Sequence, residues 1–131
     1  MAANKQVKME VFFQALADRT RLRLLNLMGE DELCVCFFVE VFGTNQPKIS
    51  RHLAYLRRAG LVSARREGKW MHYRVTEPQD ERAAHVFSEV RKWLAEDREM
   101  RRDRERLVKI CCAPQQPVMI QGAPRPASLS A

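Results

Sequence analysis

Between Phe42 and Lys48 this chain has to end one helix and begin another. Gly43 follows the short apolar piece Val35 to Phe42, which reads as a helix, and glycine readily takes the left-handed backbone that closes a helix C-terminus. Asn45 or Gln46 then serves as an N-terminal cap, and Pro47 falls in the first turn, where a missing N–H costs nothing. The new helix runs to about Ala59, with Ile49, Leu53 and Leu56 spaced to face inward, and Gly60 stops it. Two helices across so tight a glycine-containing turn form a helix-turn-helix.

The residues after Gly60 narrow the fold further. Leu61 to Arg66 and Lys69 to Val75 read as two strands joined at Glu67-Gly68, with Met71, Tyr73 and Val75 packing down and Trp70, His72 and Arg74 on the other face. A helix-turn-helix running straight into a hairpin is a winged helix, so the expected class is mainly α with a β-hairpin wing. Upstream, residues 7 to 17 carry Val7, Val11, Phe12, Ala15 and Leu16 at helical spacing, and Asp18 caps a second helix through about Gly29. Glu30 to Leu33 read as a connection. From about Asp80 to Ile110 the pattern is helical again, with an apolar stripe at Ala83, Val86, Phe87, Val90, Trp93 and Leu94. The charges of both signs over 96–106 suit a solvated helix face. Four prolines after Ala113 predict a disordered tail. The organisation expected is one winged-helix domain over 1–110, then a Cys-Cys segment and tail over 111–131.

Charge gives the first pointer to function. The net charge of +7 resides between Asn45 and Val75, where Lys48, Arg51, Arg57, Arg58, Arg65, Arg66, Lys69 and Arg74 face a single acid, Glu67. Such a basic island suits a polyanion, because each phosphate neutralised releases condensed counterions. The N-terminal stretch shows no secretory apolar region, and nothing later is long enough to span a bilayer, so a soluble, cytoplasmic protein without a membrane partner is expected. In that compartment four cysteines point to metal binding, redox sensing or packing rather than to a disulfide framework.

A recognition helix puts its N-terminal half into the major groove, so its side chains there must donate or accept over the right reach. Gln46, Ser50, Arg51, His52 and Tyr55 qualify, and Lys48 is placed for phosphate. Arg65, Arg66 and Lys69 on the wing can reach the flanking backbone or minor groove. The competing reading, a merely solvated helix and hairpin, is outweighed by the helix-turn-helix pattern beside the basic wing.

Four strings together resemble the ArsR/SmtB family of metal-responsive repressors: Leu16-Ala17-Asp18-Arg19-Thr20-Arg21-Leu22, Glu32-Leu33-Cys34-Val35-Cys36, Gln46-Pro47-Lys48-Ile49-Ser50-Arg51-His52-Leu53 and Gly68-Lys69-Trp70-Met71-His72-Tyr73-Arg74. The likeness covers roughly residues 8 to 110, and the Glu-Leu-Cys-Val-Cys string is similar to the arsenic-sensing branch. The resemblance implies a homodimeric winged-helix repressor on operator DNA, an inverted repeat, with no constitutive cofactor. Its inducer would be As(III), Sb(III) or methylarsenite. In that branch a third cysteine follows the second by three positions, and here Val39 stands there. Soft trivalent arsenic favours thiolates, and the adjacent Cys111-Cys112 pair is the expected replacement source, giving Cys34, Cys36, Cys111 and Cys112 as candidate ligands. The first and last helices, with Phe12, Phe13, Trp93 and Leu94, are expected to form the dimer interface.

Residues at i and i+2 of a regular helix point to nearly opposite sides. Ligation by Cys34 and Cys36 is therefore expected to unwind the start of the third helix. His85 could belong to the zinc site of related repressors, but the second histidine that site needs is lacking. Three rivals remain. A thiol redox-sensing repressor would use the same cysteines. A thiol-dependent arsenate reductase would need an anion-cradling loop, and Cys36 is followed instead by Phe37 and Phe38. A winged-helix protein adaptor would show no salt-dependent operator binding.

Overall fold

The computed structural model describes residues 8–129; Val7, the first residue expected in the N-terminal helix, lies outside them. Among the described residues six α-helices and one small sheet follow in the order α1 (Met9–Leu16), α2 (Arg19–Met28), β1 (Leu33–Cys34), α3 (Val35–Phe42), α4 (Gln46–Arg58), β2 (Val62–Glu67), β3 (Trp70–Val75), α5 (Glu81–Leu94) and α6 (Arg98–Cys112). The local chemistry matches its reading. Asp18 accepts from the Arg21 N–H at 3.0 Å and starts α2, and Asn45 accepts from the Lys48 N–H at 3.0 Å and starts α4. Gly43 has φ 63° and ψ 35°, and its N–H returns to Val39 O at 3.0 Å. Ile49, Leu53 and Leu56 are fully buried, and with Phe37, Phe38, Leu24 and Leu27 they hold the helix-turn-helix on one apolar centre.

The sheet departs from the expected two strands. β1 pairs antiparallel with β3, Leu33 opposite Tyr73 and Cys34 opposite His72, giving the order β1-β3-β2. Two residues are too short to show a period in sequence. Glu67 stays in the ladder opposite Trp70, so the turn is Gly68-Lys69, one residue later than read, with Gly68 at φ 59°. His72 is only 3% exposed. Its burial follows from β1, which pairs beside it with Cys34 opposite His72, whereas Arg74 on the same face stays exposed.

The C-terminal third differs most. The helical stretch expected over 80–110 is broken at Ala95-Glu96-Asp97, where Asp97 caps α6 by accepting from the N–H groups of Glu99 (2.9 Å) and Met100 (3.2 Å). α6 folds back on α2. Arg23 grips Asp103 with two bonds of 2.8 and 2.9 Å, Arg19 reaches Asp97 and Glu99 at 2.7 Å each, and Arg104 donates to Leu27 O. Several charges read as a solvated face thus serve to dock α6, and Asp103 is buried.

Beyond Ala113 the expected disorder is replaced by packed chain. Ile120, in a 3₁₀ turn over Val118–Ile120, is fully buried, and the Ser128 amide and hydroxyl both donate to the buried Asp31 carboxylate. Isolated apolar residues among prolines carry no periodic signal. No helix among the described residues is long and apolar enough to cross a membrane.

Candidate nucleic-acid interface and thiol pair

Capping by Asn45 fixes where α4 begins and therefore which side chains its first turns present. Gln46, Lys48, Arg51 and Tyr55 are exposed, while Ser50 and His52 are half-buried. Two expected contacts have partners inside the protein. The His52 Nδ1 lies 3.3 Å from Arg21 Nη1, and the guanidinium groups of Arg21 and Arg58 lie 4.5 and 5.4 Å from the Tyr55 ring centre. On the wing, Arg66 and Lys69 are exposed, with the Lys69 ammonium 4.9 Å from the Trp70 ring centre. Arg65 is committed elsewhere. Its Nη2 meets Glu32 at 2.5 Å and its Nε lies 3.1 and 3.2 Å from the two carboxylate oxygens, which holds the Glu32 carboxyl below its ordinary range.

The cysteines divide into two sets. Cys34 is the extended residue before α3 (φ −66°, ψ 142°) and Cys36 belongs to its first turn. The i, i+2 argument for opposite directions therefore does not apply. The pair straddles a strand–helix junction, both residues are buried, and the sulfurs are 2.8 Å apart with no unwinding. The Cys36 S–H donates to Cys34, which lowers Cys34 to a pKa of about 7. The same bond pushes Cys36 up, and burial adds to the shift.

Cys111 is buried, which raises its pKa, and Cys112 is exposed. The structure does not bring this second pair to the first within one chain. No group of three or more His, Cys, Asp or Glu is arranged to hold a metal ion among the described residues. His85 lies exposed on α5. Sequence reading missed Glu32 and Arg21 as parts of these sites, and set His72 on the wing as a DNA contact or a solvated residue, where it is in fact buried opposite Cys34. For Glu32 and His72 the missing signal was β1. For Arg21 the residue was visible, but not its reach to α4.

A winged helix-turn-helix with a basic reading helix, rooted beside a buried thiol pair, defines a DNA-binding regulator rather than an enzyme. The sequence pattern of bacterial regulatory proteins of the arsR family matches residues 18–64. The arsenical resistance operon repressor of Escherichia coli K12 is 46% identical over 85 residues, 64% of this chain and 71% of that protein. The arsenic resistance transcriptional regulator ArsR1 of Pseudomonas putida is 50% identical over 66 residues, half of this chain and 52% of its own length. Among solved structures, the homodimeric winged helix-turn-helix DNA-binding domain Mb0332 of Mycobacterium bovis, a possible ArsR-family regulator, superposes with a TM-score of 0.54 at 33% identity, covering 66% of this chain and 78% of that one. The chain belongs to the arsR family.

Proposed function

We propose that this chain is a homodimeric repressor that holds an inverted-repeat operator through α4 and the β2–β3 wing, and releases it when a trivalent arsenical or antimonial binds Cys34 and Cys36. One observation carries the reading: the thiol pair, 2.8 Å apart, sits where β1 becomes α3. Both DNA-facing elements are rooted there. β1 pairs with the wing strand β3, and α3 leads through Gly43 into α4. Gln46, Ser50, Arg51, His52 and Tyr55 would face base edges, with Lys48, Arg66 and Lys69 on phosphates. Arg65 ties the wing to Glu32.

The chemistry balances without electron transfer. At each cysteine one As–S bond replaces one As–O bond and the departing hydroxide leaves as water, taking its proton from the Cys36 thiol directly and, for Cys34 already ionised, from solvent. Cys34, ionised from about pH 7, attacks first. Two thiolates on one soft ion, each held by a bond on the order of 2.3 Å as thiolate–metal bonds are and meeting at a right angle or wider, stand at least ~3.3 Å apart, so the sulfurs must spread from their 2.8 Å contact. Spreading moves β1 against α3. A coupling of ~1–3 kcal/mol would weaken operator binding ~5- to 150-fold.

The test is operator release during an arsenite titration. Wild type should leave the DNA, whereas Cys34→Ser and Cys36→Ser should bind it and stay. Release of both variants at the wild-type concentration removes the pair from this account. The close sulfurs also favour a second reading, in which a peroxide takes two electrons from the pair to form a disulfide. Peroxide-driven release reversed by dithiothreitol, with no arsenical present, would select that one.

A further inference from the structure

Arg21 joins three helices behind the reading face. Its Nε donates to Ala15 O at 2.9 Å and its Nη2 to Gln14 O at 2.8 Å, so carbonyls at the end of α1 fix the guanidinium. Its side chain is 11% exposed, which leaves little freedom to turn. The remaining nitrogen, Nη1, lies 3.3 Å from Nδ1 of His52 on α4. A guanidinium has no acceptor and does not give up its proton in proteins, so Nδ1 must present a lone pair to it. In a neutral imidazole the hydrogen then resides on Nε2. Asp18, which would favour the other tautomer by accepting from Nδ1, is 3.8 Å away and outside hydrogen-bond reach, while its carboxylate caps α2. Nε2 makes no hydrogen bond among the described residues, and the side chain is 26% exposed.

We propose that Arg21 sets the tautomer of His52, so that α4 offers DNA a fixed Nε2–H donor at this position. That donor pairs with an acceptor and is refused by donor edges. Purine N7, guanine O6 and thymine O4 are the major-groove acceptors, whereas cytosine N4 and adenine N6 present donors. A phosphate oxygen is an acceptor of the same chemistry that carries no sequence information. Where that acceptor is a base edge His52 is a specificity-determining residue, and in either case Arg21 is a positioning residue that touches no DNA. The inference rests on the reading of α4 as the DNA-facing helix.

The experiment uses the full chain and the duplex it recovers from a randomised library. Each purine N7 is replaced in turn by carbon, each guanine O6 or thymine O4 acceptor is removed, and each phosphate is replaced by a neutral methylphosphonate. One of these changes should weaken wild type roughly 5- to 150-fold if a base is contacted, and should weaken His52→Leu no further. His52→Gln, whose amide N–H can stand near Nε2, should keep the preference. Arg21→Ala frees the ring to take either tautomer. It should lose discrimination between acceptor and donor edges at that one position, with unchanged binding to unrelated duplex and an unchanged salt slope. A purely structural Arg21 would weaken all duplexes alike. Should Arg21→Ala fail to fold, the His52→Gln and His52→Leu pair still decides. An equal response of wild type and His52→Leu to every deleted acceptor, base or phosphate, overturns the proposal. Recovery of no preferred duplex by wild type would overturn the repressor reading and this inference with it.

Discussion

A thiol that accepts a hydrogen bond ionises more readily than one that donates it, and Cys34 and Cys36 are one of each. The capture rate of a trivalent arsenical should therefore rise as pH increases through about 7, the value to which Cys34 is lowered. Cys36→Ala removes the donor and should move that midpoint upward toward the ordinary thiol range, ~8.5. Ultraviolet thiolate absorbance of the two proteins against pH checks both. Stability follows the same protons. Between about pH 7 and the ordinary thiol value, folded Cys34 has lost a proton that the unfolded chain still holds, so stability rises with pH. Above that value Cys36, pushed up, retains a proton that the unfolded chain has shed, and stability falls. The two cysteines were legible in sequence as a pair, but their relation was not. A helical spacing rule set them on opposite sides, and only the two-residue strand β1 turns them together.

Helix ends were the most legible elements because each is written in one or two residues. Gly43 is the sharpest case, at φ 63° with open space around the position a Cβ would occupy. Gly43→Ala should cost ~1–2 kcal/mol from left-handed backbone strain alone, and Gly43→Asn less. Urea unfolding of the three proteins measures it. A matching loss of operator affinity in the folded Ala variant would show the strain reaching α4. The elements that sequence did not reveal share a different cause, since each depends on partners far along the chain. β1 exists because β3 offers it an edge, and α6 turns back because Arg19 and Arg23 on α2 meet Asp97, Glu99 and Asp103 across some eighty residues. Charges over 96–106 read as mutually paired on one helix because i, i+4 spacing is visible and tertiary partners are not. Ile120 reaches the core from a segment whose prolines suggested disorder.

At the scale of the whole molecule, a two-fold dimer of such chains would set its reading helices about one DNA turn apart, ~34–36 Å, on an inverted repeat. The wing offers a test of which basic residues lie on phosphate. Lys69→Ala should reduce the slope of log affinity against log salt by ~0.9. Arg65→Ala should leave that slope nearly unchanged, because its guanidinium is held by Glu32. A full unit lost with Arg65 would mean that DNA draws it away. Arsenic coordination provides the last prediction. Trivalent arsenic makes three bonds, and one chain gathers two thiols, at Cys34 and Cys36, with Cys111 and Cys112 apart from them. In methylarsenite and phenylarsine oxide a carbon already occupies the third position, so two thiolates complete the site. Arsenite retains a hydroxide there unless a thiol of the second subunit displaces it. The organoarsenicals should therefore release the operator at lower concentration than arsenite. The mass of the intact chain should show one arsenic bound, with two waters lost from arsenite or methylarsenite and one from phenylarsine oxide. A Cys111→Ala, Cys112→Ser double variant should leave the order and both midpoints unchanged. A rise in the arsenite midpoint alone in that variant would instead place a C-terminal thiol on the ion, and the site would then be shared between the two subunits.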